Sequence, residues 1–216
     1  MSGRFDLCVI THQLARLGRD HLAVARAALQ GGASMIQLRD KEMTTRALVE
    51  VAQELRRLTE QNQTTFIVND RVDVAQAVGA DGVHLGPDDM PVTIARRLLG
   101  PKAVIGASVA DPGEARAAEA AGANYVSVGA VYPTASKANA GDAVGVRAIT
   151  SVKRVAGVPV LAIGGINCDN VETVIEAGAD GAAVIAAVAE ADDMVLATEA
   201  LLTVIHRARA GRGADS

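Results

Sequence analysis

Four times along the chain an alanine-rich stretch with helical spacing closes on Gly-Ala and passes into a short apolar run. The junctions are Gly32-Ala33-Ser34, Gly79-Ala80-Asp81, Gly122-Ala123-Asn124 and Gly178-Ala179-Asp180. Each reads as a helix, a tight C-terminal turn and a strand. Between them lie four more apolar runs, Phe5 to Thr11, Thr65 to Asn69, Ala103 to Ser108 and Val158 to Gly165, which also read as strands. Strands that are apolar on both faces and separated by a crossover helix must be parallel, and eight such units close a barrel. The pattern therefore predicts an α/β chain folded as one (β/α)8 TIM barrel over residues 1–210, with the small, polar residues 211–216 as a disordered tail. A doubly wound open sheet is the alternative, but its Gly-x-Gly-x-x-Gly opening is missing after the first strand.

One run breaks the apolar rule. In Met35-Ile36-Gln37-Leu38-Arg39-Asp40-Lys41, period-2 alternation puts Gln37, Arg39 and Lys41 on one face and Ile36 and Leu38 on the other. Two cations and an amide converge, in outline a grip for a diphosphate, although a strand end with its charges in water has the same pattern. Barrel chemistry sits at the carboxyl ends of the strands. The other ends carry Asn69-Asp70, Asp88-Asp89, Ser108, a long loop from Gly129 to Lys137, Gly164-Gly165 and the run Val184 to Ala187.

Asp70 and Asp89, on adjacent strand ends, could share a Mg²⁺ ion, which takes one or two carboxylates plus phosphates and water. Capping of the following helices would use the same residues. Gly164-Gly165 with Val184 to Ala187 suits a phosphate held by backbone N–H groups, or an ordinary tight turn. Thr134-Ala135-Ser136-Lys137 could reach from one phosphate to the other, or could simply be solvated. His84 reads as part of a polar layer inside the barrel, while His12, His21 and His206 read as incidental. The absence of a Ser/His/Asp, Cys/His or zinc-ligand pattern speaks against covalent and zinc catalysis.

Composition narrows the partners. The chain has 216 residues, is 50% hydrophobic with 2% aromatics and no Trp, and carries a net charge of -4. That balance argues against nucleic acid, so phosphate recognition should be local and directed at small molecules, two of them if both phosphate sites are real. No apolar stretch approaches the ~20 residues of a membrane span, and no basic-then-apolar leader is seen. A cytoplasmic enzyme is expected, with homo-oligomerisation left open and with Cys8 and Cys168 as reduced, structural thiols.

The set Gln37-Leu38-Arg39-Asp40-Lys41, Val68-Asn69-Asp70, Gly82-Val83-His84-Leu85-Gly86 followed by Asp89, Thr134 to Lys137, and Ile163-Gly164-Gly165-Ile166 resembles the thiamine phosphate synthase family over nearly the whole chain. That family joins an aminopyrimidine methyl diphosphate to a thiazole ethyl phosphate and releases diphosphate, its C–O bond breaking before the thiazole nitrogen attacks. The resemblance implies that Gln37, Arg39, Lys41, Asn69 and Lys137 hold the pyrimidine diphosphate and that Asp70 and Asp89 hold Mg²⁺. It places Ser108 beside the leaving group, making Arg39, Lys41, Ser108 and Lys137 the catalytic set. Thr134, Ser136, Gly165 and the strand-eight backbone at Ile185 and Ala186 would bind the thiazole phosphate. The chain departs from the family where Gly-Pro is replaced by Gly129-Ala130, Thr by Ser136 and Ser by Ala186. The related thiazole tautomerase and a non-catalytic phosphate-binding barrel are the competing readings.

Overall fold

The computed structural model describes residues 5–134 and 143–214. Eight parallel strands close into a barrel in chain order: β1 (Leu7–Thr11), β2 (Met35–Leu38), β3 (Thr65–Asn69), β4 (Gly82–Leu85), β5 (Val104–Val109), β6 (Tyr125–Val128), β7 (Val160–Ile163) and β8 (Gly181–Val184). The helices that cross outside it are α1 (His21–Gln30), α2 (Thr45–Gln61), α3 (Val72–Val78), α4 (Val92–Leu99), α5 (Pro112–Ala120), α6 (Val146–Lys153), α7 (Val171–Glu176), α8 (Ala186–Ala189) and α9 (Met194–Ala214). The predicted (β/α)8 barrel is what the chain forms. Its last helix runs to Ala214, through residues that the sequence suggested were tail.

Helix starts follow local chemistry. Asp20 accepts from the Ala23 amide at 2.7 Å, and Asp111 accepts from Gly113 and Glu114 just ahead of Pro112, a residue whose missing N–H costs nothing in a first turn. Outward-facing strand residues such as Val9, Ile36, Phe66 and Val126 pack beneath the helices in the main core. Inside the barrel a second cluster forms from Cys8, Ile10, Met35, Ile67, Tyr125, Leu161 and Ala183.

The recurring Gly-Ala-x junctions have a structural purpose that the sequence does not announce. In each, the backbone N–H of the third residue donates to the carbonyl of the first or second residue of the preceding strand: Ser34 to Leu7, Asp81 to Phe66, Asn124 to Ile105 and Asp180 to Val160. Its side chain then accepts the N–H of that same residue, at 3.1, 2.8, 2.8 and 2.7 Å respectively. Short acceptor side chains are required, which is why Ser, Asp and Asn recur. Three of the four are also held by a cation from an outer helix: Arg56 on Asp81, Arg96 on Asn124 and Lys153 on Asp180. At the same end, buried Asp6 pairs with Arg209 and His206 of α9, so His206 is engaged in closing the barrel floor.

Candidate active site

A cavity of about 450 Å³ opens at the carboxyl ends of the strands. It is lined by Gln37, Arg39, Lys41, Asn69, Asp70, Asp89, Ser108, Thr134, Gly165, Ile185 and Ala186, so every candidate residue among those described faces one chamber. Ser136 and Lys137, and with them the reach of that loop from one phosphate to the other, lie outside the described residues.

β2 ends at Leu38, so Arg39 and Lys41 belong to the loop beyond it and are not strand residues. The alternation nevertheless persists, with 37, 39 and 41 turned to the cavity and Asp40 turned away. Asp40 is fixed by a network that the sequence hid. Its Oδ1 accepts from the amides of Glu42 and Met43, both at 2.8 Å, and its Oδ2 lies 3.1 Å from His21 Nε2. His21 is 1% exposed, and its Nδ1 lies 2.8 Å from the Thr11 hydroxyl, which in turn reaches the Gln37 carbonyl. These contacts hold the Asp40 carboxyl below its usual value despite its partial burial. His21 therefore anchors the loop that presents both cations, and it is not incidental.

Asp70 sits at φ 61°, in the left-handed region that Asp tolerates better than most residues. Its amide donates to the His84 carbonyl at 2.9 Å, and the turn sends the side chain into the cavity instead of onto α3. Neither α3 nor α4 has a side-chain cap, so Asp70 and Asp89 do not serve as helix caps. Lys41 Nζ lies 3.2 Å from Asp70 Oδ2, while Asp89 Oδ2 accepts from the Gly86 amide at 2.7 Å. Burial, followed by the neighbouring Asp89 carboxyl, pushes the Asp70 pKa up; Lys41 only partly offsets this. Two crowded carboxyls are a donor set that a hard divalent cation relieves. Among the described residues no three His, Cys, Asp or Glu side chains could hold a metal ion, so such a cation would need further oxygens from a ligand.

Opposite this acidic pair, Gly164 and Gly165 turn the chain at φ 100° and 64°. A Cβ on Gly165 would lie 2.6 Å from the Pro133 carbonyl and 2.8 Å from Tyr132 Cβ, so glycine is demanded by the loop packed on it as well as by any ligand. The Asn170 amide donates to the Gly165 carbonyl at 2.9 Å and fixes the turn. β8 stops at Val184, earlier than the sequence suggests, because Ile185 leaves extended geometry at φ -116°, ψ -82° and Ala186 opens α8.

The cavity floor holds residues the sequence reading missed, among them Tyr125 and Ser127. Pairing puts His84, Gly106 and Tyr125 in register on adjacent strands, all facing inward, with Ser108 two residues beyond Gly106. A Cβ on Gly106 would lie 2.0 Å from Tyr125 Cζ; its absence lets the tyrosine ring reach across to His84. His84 Nδ1 is 3.0 Å from the Tyr125 hydroxyl and Nε2 is 3.0 Å from Ser108 Oγ. The polar layer expected around His84 is thus a three-residue chain. Nearby Cys8 is buried, with its thiol pushed up to about 12 by desolvation, and Cys168 is exposed; both are free.

Residues 7–188 match the family model described as thiamine monophosphate synthase. A thiamine-phosphate synthase of Moorella thermoacetica is 46% identical over 206 residues, covering 95% of this chain and 98% of that protein. One from Methanospirillum hungatei is 48% identical over 192 residues, covering 89% of this chain and 93% of its own. Among solved structures, the thiamine phosphate pyrophosphorylase of Pyrococcus furiosus superposes with a TM-score of 0.87 at 42% identity, covering 96% of this chain and 98% of that one. The chain belongs to the thiamine monophosphate synthase family of transferases.

Proposed function

We propose that the protein makes thiamine phosphate from an aminopyrimidine methyl diphosphate and a thiazole ethyl phosphate, releasing diphosphate. The observation that carries this reading is the convergence of Gln37, Arg39, Lys41, Asp70 and Asp89 on one wall of a cavity whose opposite wall is the Gly165 turn and the Ile185-Ala186 backbone. Gln37, Arg39, Lys41 and Asn69 bind the diphosphate; Arg39 supplies a planar fork and Lys41 a point charge. Thr134 and the backbone at Gly165, Ile185 and Ala186 bind the thiazole phosphate.

The carboxyls of Asp70 and Asp89 would hold Mg²⁺, which neutralises charge on a departing diphosphate. In the substitution itself the C–O bond of the pyrimidine methyl group breaks and its electron pair leaves with the diphosphate. The thiazole nitrogen lone pair then forms the new C–N bond. No protein group has to take a proton, in keeping with a site whose one histidine, His84, is engaged on both ring nitrogens. What the side chains contribute is stabilisation of the leaving group, by donors already in place. Free Cys8 and Cys168 fit a reducing compartment, and we place the reaction in the cytoplasm. Among the described residues no helix is long and apolar enough to cross a membrane.

Mixing both substrates with Mg²⁺ tests the proposal. Thiamine phosphate and diphosphate should appear in equal amounts; a thiazole isomer formed without diphosphate release would favour the tautomerase reading, and binding without turnover the non-catalytic one.

A further inference from the structure

We infer that Tyr125 and His84 are positioning residues that turn the hydrogen of the Ser108 hydroxyl into the cavity. The argument is one of donors and acceptors. A phenol has a single hydrogen, a neutral imidazole has one N–H and one bare nitrogen, and a serine hydroxyl has one hydrogen and two lone pairs. The chain Tyr125–His84–Ser108 can therefore run in either direction.

In one direction Tyr125 donates to Nδ1, Nε2–H donates to Ser108 Oγ, and the serine hydrogen remains available to the cavity. In the other, Ser108 donates to Nε2, Nδ1–H donates to the phenol oxygen, and the phenol hydrogen must find its own acceptor. That ring belongs to the buried inner cluster with Cys8, Ile10, Met35, Ile67, Leu161 and Ala183. Among the described residues His84 is the one hydrogen-bond partner of the phenol oxygen. The second direction, and an imidazolium equally, would strand a buried O–H without an acceptor, which folded proteins avoid. Burial also pushes the phenol well above its ordinary pKa, so Tyr125 keeps the hydrogen that it donates.

The direction matters because Ser108 lines the cavity. A hydroxyl committed to donating inward is a donor prepared in advance for an anion, and such preorganisation is worth most where charge develops. A hydroxyl committed to His84 would offer lone pairs to the same anion and repel it. This inference rests on the reading that Ser108 faces the departing diphosphate.

A double-mutant cycle on the full-length protein tests both layers. Ser108→Ala should lower kcat by about 10²-fold. Tyr125→Phe keeps the ring over Gly106 and removes only the hydroxyl; kcat should fall by about tenfold with both KM values within about twofold of wild type. In the Ser108→Ala background, Tyr125→Phe should cost nothing more, since it acts through a hydroxyl already gone. At His84, Gln accepts at one end of its amide and donates at the other, so His84→Gln should retain several-fold more turnover than His84→Leu. Wild-type kcat in Tyr125→Phe, an equal loss in both backgrounds, or equal turnover of the two His84 variants overturns the inference. Wild-type turnover in Ser108→Ala overturns instead the placement of Ser108 beside the leaving group.

Discussion

Replacing Asp70 by Asn should make the metal-free protein more stable and the enzyme far worse. In the folded protein this carboxyl is partly buried beside Asp89, and among the described residues the cation that offsets it is Lys41, whose side chain is 57% exposed. A pair that open to solvent contributes about 0–1 kcal/mol, less than the gain commonly released when a functional charge is neutralised, about 0.5–2 kcal/mol. The net expectation is a stabilisation of about 1 kcal/mol at neutral pH, or ~3 °C in Tm for a chain of this size. The sign follows from linkage: an acid whose folded pKa is raised binds more protons folded than unfolded, so its contribution is best below its ordinary value of 3.8 and is lost as pH rises through the raised one. The gap between Asp70→Asn and wild type should therefore close in acid and open toward neutrality. Added Mg²⁺ should raise the Tm of the wild type and leave the variant nearly unmoved, while turnover falls ~10²-fold or more. Thermal melts across pH, with and without Mg²⁺, read all of this. A lower Tm for metal-free Asp70→Asn at pH 7 would refute the reasoning, because Lys41 would then be holding Asp70 as a structural pair.

Arg39→Lys keeps the charge but loses the fork, so the KM for the pyrimidine diphosphate should rise about tenfold while that for the thiazole phosphate stays put; steady-state kinetics with each substrate varied in turn checks it. His21→Leu leaves Asp40 without its ring partner and loosens the loop carrying Arg39 and Lys41, at a cost of about 1–3 kcal/mol, read as a lower Tm together with weaker binding of the diphosphate substrate alone. Ala186→Ser adds one hydroxyl to a site built mainly from backbone, worth ~0.5–1.5 kcal/mol, so calorimetry should find the thiazole phosphate bound less than about tenfold more tightly.

The alternation through Gln37, Arg39 and Lys41 was legible in the sequence because period-2 geometry outlasts the strand itself, which ends at Leu38. Gln37, Asn69 and Ser108 were legible for a related reason: once eight strands are counted, their carboxyl ends must meet. What stayed hidden depends on register. His21 looks like an ordinary first-turn residue until α1 is laid against the loop beyond β2, and Tyr125 looks like core until Gly106 is set between it and His84. Local backbone also escaped: nothing in Val184 to Ala187 signals that the strand stops at Val184, and Gly211 does not announce that the helix will continue through it.

The reciprocal bonds at Ser34, Asp81, Asn124 and Asp180 divide the barrel into four staves, each made of an odd strand and the even strand after it, clasped at the amino end. The clasps lie at the pole opposite the cavity. A barrel hooped at its base can exchange residues around its mouth without loosening its joints. This chain has alanine at positions 130 and 186 on its rim, and the clasps that hold its staves are untouched by either.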